Sequence, residues 1–173
     1  MMRSDDDQLD AIDRIQRAWQ AQRPDVDVSS IGVLSRATRI ARYLERTRQQ
    51  ALAELGTDAM TLDVLATLRR SGLPFRLTAG QLRSSALITS GAVTKRVDKL
   101  EAAGLVRRDN GGPDKRVVFV ELTDAGRALA DDTLARLMER EAPLLTPLTP
   151  TQRDELETLL HRWLLWLEQH HPD

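Results

Sequence analysis

Apolar residues recur at helical spacing through most of the chain, and the period changes only once. Leu9, Ile12, Ile15 and Trp19 predict a short amphipathic helix over Asp5 to Gln22, which Pro24 ends. Ile31, Leu34, Ile40, Leu44, Ala51 and Leu55 predict a second helix of about seven turns, capped by Ser29 or Ser30 and stopped at Gly56. Thr61 is placed to cap a third helix, Leu62 to Arg70, which Ser71-Gly72 closes. Beyond Pro74, Thr78 and Gln81 have the spacing of a capping box and open a short helix ending near Ala86. Thr89 or Ser90 caps the next helix, which runs to Ala103 and stops at Gly104. Here the period shifts. Leu105 to Arg108 is strand-like, Asn110-Gly111-Gly112-Pro113-Asp114 is a dense turn signal, and Val117-Val118-Phe119-Val120 is the returning strand of a hairpin. Thr123 caps a helix from Asp124 to about Arg140, Pro143 and Pro147 mark a linker, and Thr149-Pro150 opens a last helix to about Glu168.

This order predicts a mainly α fold with a small β-hairpin wing: a winged helix-turn-helix over 57–127, flanked by helices over 1–56 and 128–173. Leu156, Leu159, Leu160, Trp163, Leu164 and Leu167 form a broad apolar stripe on the last helix. One small domain cannot easily cover that stripe together with the apolar faces at its other end, so the flanking helices are expected to form a homodimer interface.

Composition narrows the function classes. The chain has no cysteine, which excludes disulfides and thiolate metal sites. It has no apolar stretch long enough to span a membrane, and acidic Met1 to Gln8 lacks the apolar region of a secretory signal, so a cytoplasmic protein is expected. The only histidines are His161, His170 and His171, and no zinc-protease, Walker or dinucleotide-binding motif occurs. Neither an enzyme, a metal site nor a cofactor is expected. Net charge is −1, but it is segregated. From Arg69 to Arg127 twelve basic residues face six acidic ones, so this segment carries +6 and the flanks −7. A basic middle between acidic flanks suits a polyanionic partner.

The helix after Ser90 carries the chemistry for that partner. At 100° per residue, Val93, Val97 and Leu100 share one face, while Gly91, Thr94, Lys95 and Asp98 share the opposite one. Ser90, Gly91, Thr94 and Lys95 thus give a small, polar, cationic leading edge that fits a DNA major groove. Thr94 can hydrogen-bond a base edge and offer a methyl to thymine, and Lys95 can reach guanine or phosphate. Lys115 and Arg116, beside two glycines at the hairpin tip, suit a narrow minor groove.

Leu65 to Arg127 resembles the core of the MarR family of transcriptional regulators. The matching pieces are Leu87 to Thr94, Val97 to Val106, Asp114-Lys115-Arg116 and Leu122 to Gly126. The resemblance implies a homodimer that binds a pseudo-palindromic double-stranded operator and usually represses. An activator, or a protein-interaction module without a small-molecule ligand, is the alternative.

Arg96 is anomalous within the reading helix. It lies about 60° from Val93 on the wheel, at the edge of the inward face, where a guanidinium needs a carboxylate or an anionic ligand. Asp63, between Leu62 and Val64, is a natural partner, Arg108 emerges from the hairpin's first strand, and Trp19 offers a flat apolar surface. Trp19, Asp63, Arg96 and Arg108 resemble the four-residue signature of the urate-responsive, PecS-like and HucR-like branch of the family, which the additional N-terminal helix also fits. That resemblance implies a small anionic effector (urate or another purine, a tricarboxylate or an aromatic carboxylate). Trp19 and Arg96 would hold it, and Asp63 and Arg108 would relay charge repulsion into the helix.

Overall fold

The computed structural model describes residues 9–85, 90–109 and 117–171, with backbone alone for Arg83 and for 90–92. The chain divides within its second helix into two compact units, Met1–Gln50 and Ala51–Asp173.

The first unit contains α1 (Ala11–Gln22) and most of α2 (Ser29–Glu54). Helix α1 begins at Ala11 and not at Asp5, because Asp10 caps it. The Asp10 carboxylate accepts from the amides of Ile12 (2.7 Å) and Asp13 (2.9 Å), and the Asp13 side chain accepts the Asp10 amide in return (3.0 Å). Arg36 of α2 closes on the same two acids: Nε donates to Asp10 at 2.8 Å, and Nη2 donates to Asp13 at 2.6 Å. Gly32 permits close approach, since a Cβ there would lie 3.1 Å from Oε1 of Gln16. Ile12 is the buried residue of α1, whereas Trp19 is half-exposed.

The Arg36 guanidinium, followed by the Asp13 amide, lowers the Asp10 pKa from 3.8 to about 2. A depressed carboxylate stabilises this contact above pH 3.8, and the contribution disappears as pH falls toward 2. An NMR titration of the Asp10 carboxyl should therefore show a midpoint near 2, and Arg36→Ala should return it toward 3.8. A wild-type midpoint near 4 would mean that the clip does not form in solution.

The second unit contains α3 (Ala59–Arg70), β1 (Arg76–Thr78), α4 (Ala79–Ser85), α5 (Ser90–Ala102), β2 (Val106–Asp109), β3 (Phe119–Leu122), α6 (Asp124–Glu141), a 3-10 turn at Ala142–Leu145, and α7 (Pro150–His170). The antiparallel sheet has the order β1-β3-β2, with Arg76 opposite Glu121 and Arg108 opposite Val120. The fold is a winged helix-turn-helix, as expected, with α4 and α5 leading into the β2–β3 wing.

Several expected boundaries shift. Helix α3 starts at Ala59, with Asp58 as its cap in place of Thr61. Strand β1 is additional, and Pro143 lies inside the 3-10 turn. The hairpin strands move toward the C-terminus because Leu105 is used in closing α5. Gly104 takes a φ of 71°, its amide bonds to Glu101, and the Leu105 amide bonds back to Leu100 at 2.9 Å. The capping boxes at Thr78/Gln81 and Thr149/Gln152 form, and Thr123 caps α6.

One core joins Val64, Leu65 and Leu68 of α3, Leu82 of α4, Val93, Val97 and Leu100 of α5, Val106, Val120 and Leu122 of the sheet, and Ala130 of α6. A second, smaller cluster groups Ala51, Leu52, Leu62 and Leu137. No residue of α7 is buried, and Leu159, Leu160 and Leu164 are each about half-exposed. Among the described residues no helix is long and apolar enough to cross a membrane.

Candidate nucleic-acid interface

Helix α5 takes its orientation from its apolar face. Val93, Val97 and Leu100 are 2–4% exposed and sit against α3, α4 and the sheet, as the wheel predicts. Burial of these three side chains, at about 1.5 kcal/mol or more each, anchors the helix. Thr94 and Lys95 are consequently exposed. Ser90 and Gly91 open α5, although their side chains are not described, and Lys115 and Arg116 lie outside the described residues.

Ion pairing sorts the cations around this surface. Arg107 of β2 bonds Glu121 of β3 at 2.8 Å. Arg76 of β1 reaches Asp109 at 3.4 Å and lies over the Phe119 ring, 4.3 Å from its centroid. Arg69 pairs with Asp131 at 2.8 Å. Lys95 and Lys99, both exposed on α5, carry no ion pair among the described residues. Among the described residues, no carboxylate has to be given up before their ammonium groups meet a phosphate.

The structure places the four candidate ligand residues in two groups. Trp19 lies in the first unit, while Asp63, Arg96 and Arg108 lie in the second. The Arg96 side chain is 20% exposed and turns back toward α3, as its wheel position requires. The carboxylate it meets is Asp58, five residues ahead of Asp63: Nη1 donates to Asp58 Oδ2 at 2.7 Å and to the Thr61 hydroxyl at 3.0 Å. Asp63 is half-buried on α3. At 100° per residue it lies about 160° from Thr61, nearly the opposite face of the helix, which explains why the pairing falls on the cap. Burial raises the Asp58 pKa, but hydrogen bonds from Thr61 and the charge of Arg96 outweigh it and hold the carboxyl below its ordinary value.

Arg108 grips α5 from the opposite side. Its backbone amide donates to Glu101 Oε1 at 2.9 Å, and its guanidinium bonds both Glu101 and Asp98 at 2.5 Å. Sequence reasoning singled out Arg108 but missed both of its partners, and it missed Asp58. The D-x-x-T spacing of Asp58 and Thr61 was the available signal, because it is an N-cap pattern. The partners of Arg108 required knowledge of where β2 runs.

Comparison with known proteins places this geometry in context. Residues 55–116 match the model of the MarR family. The chain is 32% identical to the HTH-type transcriptional regulator PecS of Dickeya dadantii over 154 residues, spanning 89% of this chain and 92% of that one. An HTH-type transcriptional repressor of Mycobacterium tuberculosis is 31% identical over 72% of this chain and 87% of its own. Among solved structures, a MarR family regulator from Streptomyces coelicolor in complex with DNA superposes with a TM-score of 0.70 at 25% identity, covering 84% of this chain and 94% of that one. A mutant E. coli MarR complexed with operator DNA gives 0.66 at 26% identity, covering 80% of this chain and 99% of the other.

Proposed function

Because this chain belongs to the MarR family of transcriptional regulators, which are not enzymes, we propose that it is a cytoplasmic repressor. It binds a pseudo-palindromic operator as a homodimer and is released by a small organic anion. The observation that carries this reading is helix α5, fixed in the core along one face and presenting Thr94 and Lys95 on the other. Two such helices related by a dyad meet successive major grooves, which sets half-sites about 10 bp apart. The relatives bound to DNA support this use of the fold, and the PecS relative supports placing the chain in the PecS-like branch.

The release step follows from Arg96. Its guanidinium belongs to the reading helix yet faces α3, so an anion that recruits it acts directly on the DNA-reading element. An effector changes DNA affinity only through its different affinity for the two conformations, and typical coupling is roughly 5- to 150-fold. Arg108 bonds to Asp98 and Glu101 and so provides a second route by which charge placed beside its guanidinium reaches α5.

Gel-shift titrations on the duplex upstream of its own coding region, with and without urate, xanthine, citrate, aconitate or an aromatic carboxylate, test both halves of the proposal. Lys95→Ala should weaken binding and alter base preference. Arg116→Ala should flatten the salt slope by roughly one unit for each phosphate that it leaves unneutralised per subunit. Arg96→Ala should abolish the response to anion, and Trp19→Ala should weaken it while leaving DNA affinity nearly intact. Unchanged footprints and salt slopes in the first two variants would remove α5 and the wing from the DNA interface. Undiminished release from Arg96→Ala would move the effector site elsewhere.

A further inference from the structure

Asp58, Thr61 and Arg96 form a closed ring of hydrogen bonds. The Asp58 carboxylate accepts the Thr61 amide at 3.0 Å through Oδ1, and the Thr61 hydroxyl at 3.1 Å and Arg96 Nη1 at 2.7 Å through Oδ2. The Thr61 hydroxyl donates to Asp58 and accepts from Arg96 at 3.0 Å, so each of the three side chains is bonded to the other two. Thr61 is buried, and α3 is seated in the core through Val64, Leu65 and Leu68. The ring therefore joins a fixed point, the start of α3, to the middle of α5.

Core packing alone does not fix α5 fully. Val93, Val97 and Leu100 hold it through apolar contact, which is not directional and so sets its rotation and axial position less sharply than hydrogen bonds do. Charge-assisted hydrogen bonds are directional and oppose both rotation and sliding. Arg96 follows Thr94 and Lys95 directly, so its tie acts where the reading face is presented. On the far side, Arg108 holds Asp98 and Glu101. Helix α5 is thus braced at two points, and one brace depends on Asp58, a residue outside α4 and α5.

We propose that Asp58 is a positioning residue for DNA recognition: through Arg96 it sets the pose of α5 and hence affinity for the operator. This rests on α5 being the element that reads DNA. It also makes Asp58 the intramolecular anion at Arg96, a place already filled by a carboxylate before any effector arrives.

Asp58→Asn is the informative variant, because asparagine caps a helix as well as aspartate and so preserves α3 while removing the charge. The variant should bind the upstream duplex roughly 3- to 10-fold more weakly. Its affinity for unrelated duplex, which depends on charge more than on pose, should stay within about twofold, as should its far-UV spectrum. Combining it with Arg96→Gln should weaken operator binding no further than the worse single change. Equal operator affinity for Asp58→Asn and wild type, or effects that multiply in the double variant, would overturn the proposal. Hydrogen exchange provides a reading that needs no DNA. Amides of α5 should exchange faster in Asp58→Asn, while those of α6 should not, and unchanged α5 exchange would also overturn it. If the wild type binds no upstream DNA, the reading of α5 fails, and exchange alone decides whether Asp58 holds the helix.

Discussion

Leu160→Glu in α7 should convert the protein to a monomer and weaken operator binding at least a hundredfold. No residue of α7 is buried, yet the helix carries Leu156, Leu159, Leu160, Leu164, Leu165 and Trp166 between 39 and 60% exposed. Leu160 lies in a groove with Leu145, Leu148, Trp163 and Leu167. An exposed apolar stripe through Leu156, Leu159, Leu160 and Leu164 is characteristic of an interface, and in the homodimer proposed above the same face of a second copy would be its self-complementary partner. A glutamate there leaves an unpaired charge within the contact, at a cost of several kcal/mol repeated in each subunit. The effect on DNA follows because two linked half-site contacts exceed one by roughly 10²- to 10⁴-fold. The fold should survive, since Leu160 is half-exposed and no residue of this helix is fully buried in the subunit. Sedimentation at micromolar concentration should show twice the 19.4 kDa chain mass for the wild type and the single mass for the variant. A dimeric variant with normal operator affinity would show that α7 does not form the interface.

Most of the fold was legible because its signals are local. Thr78 with Gln81, Thr149 before Pro150, and Thr123 each cap their own first turn, so composition and spacing were enough. The inward face of α5 was equally clear, because Val93, Val97 and Leu100 fix its period. Strand β1 was not legible. It has three residues, two positions beyond Pro74, too few to show alternation, and it is a strand only because β3 supplies the partner. The hairpin register slipped for a related reason: Leu105 reads as a strand residue until its amide is seen closing α5.

The candidate site divides along the same line. That Arg96 turns inward followed from helical angle alone. Its partner did not, because Asp58 lies at the cap, just before the helix on which a wheel assigns faces. The apolar flanks of Asp63 drew attention to it, although Asp58 and Thr61 are the groups on the side of α3 that Arg96 reaches. Arg108 was selected by its closeness in sequence to the recognition helix. What it does there, holding Asp98 and Glu101, depends on the path of β2.

Gly126→Ala should lower the melting temperature by about 10 °C, against the usual preference of helices for alanine. In an unobstructed helix this exchange gains up to about 1 kcal/mol. Here a Cβ would stand 1.9 Å from the carbonyl oxygen of Leu105 and 2.8 Å from its carbonyl carbon. The obstacle is backbone, which cannot rotate aside as a side chain can, so the start of α6 must move away. That movement breaks the bonds from the Thr123 amide and hydroxyl to Leu105, both 3.1 Å, and loosens the cap that Thr123 makes to the Gly126 amide at 3.0 Å. Overpacking together with a weakened cap amounts to about 3 kcal/mol or more, and a chain of this size loses roughly 2–4 °C for each. Gly80→Ala is the control. It has only the Thr78 hydroxyl at 3.8 Å near its Cβ, so it should be neutral or slightly stabilising. Because Leu105 closes α5 and leads into β2, Gly126→Ala should also reduce operator affinity at temperatures where it remains folded. Thermal unfolding followed by circular dichroism tests the packing. If Gly126→Ala melts within 2 °C of Gly80→Ala, α6 does not start against Leu105 in solution.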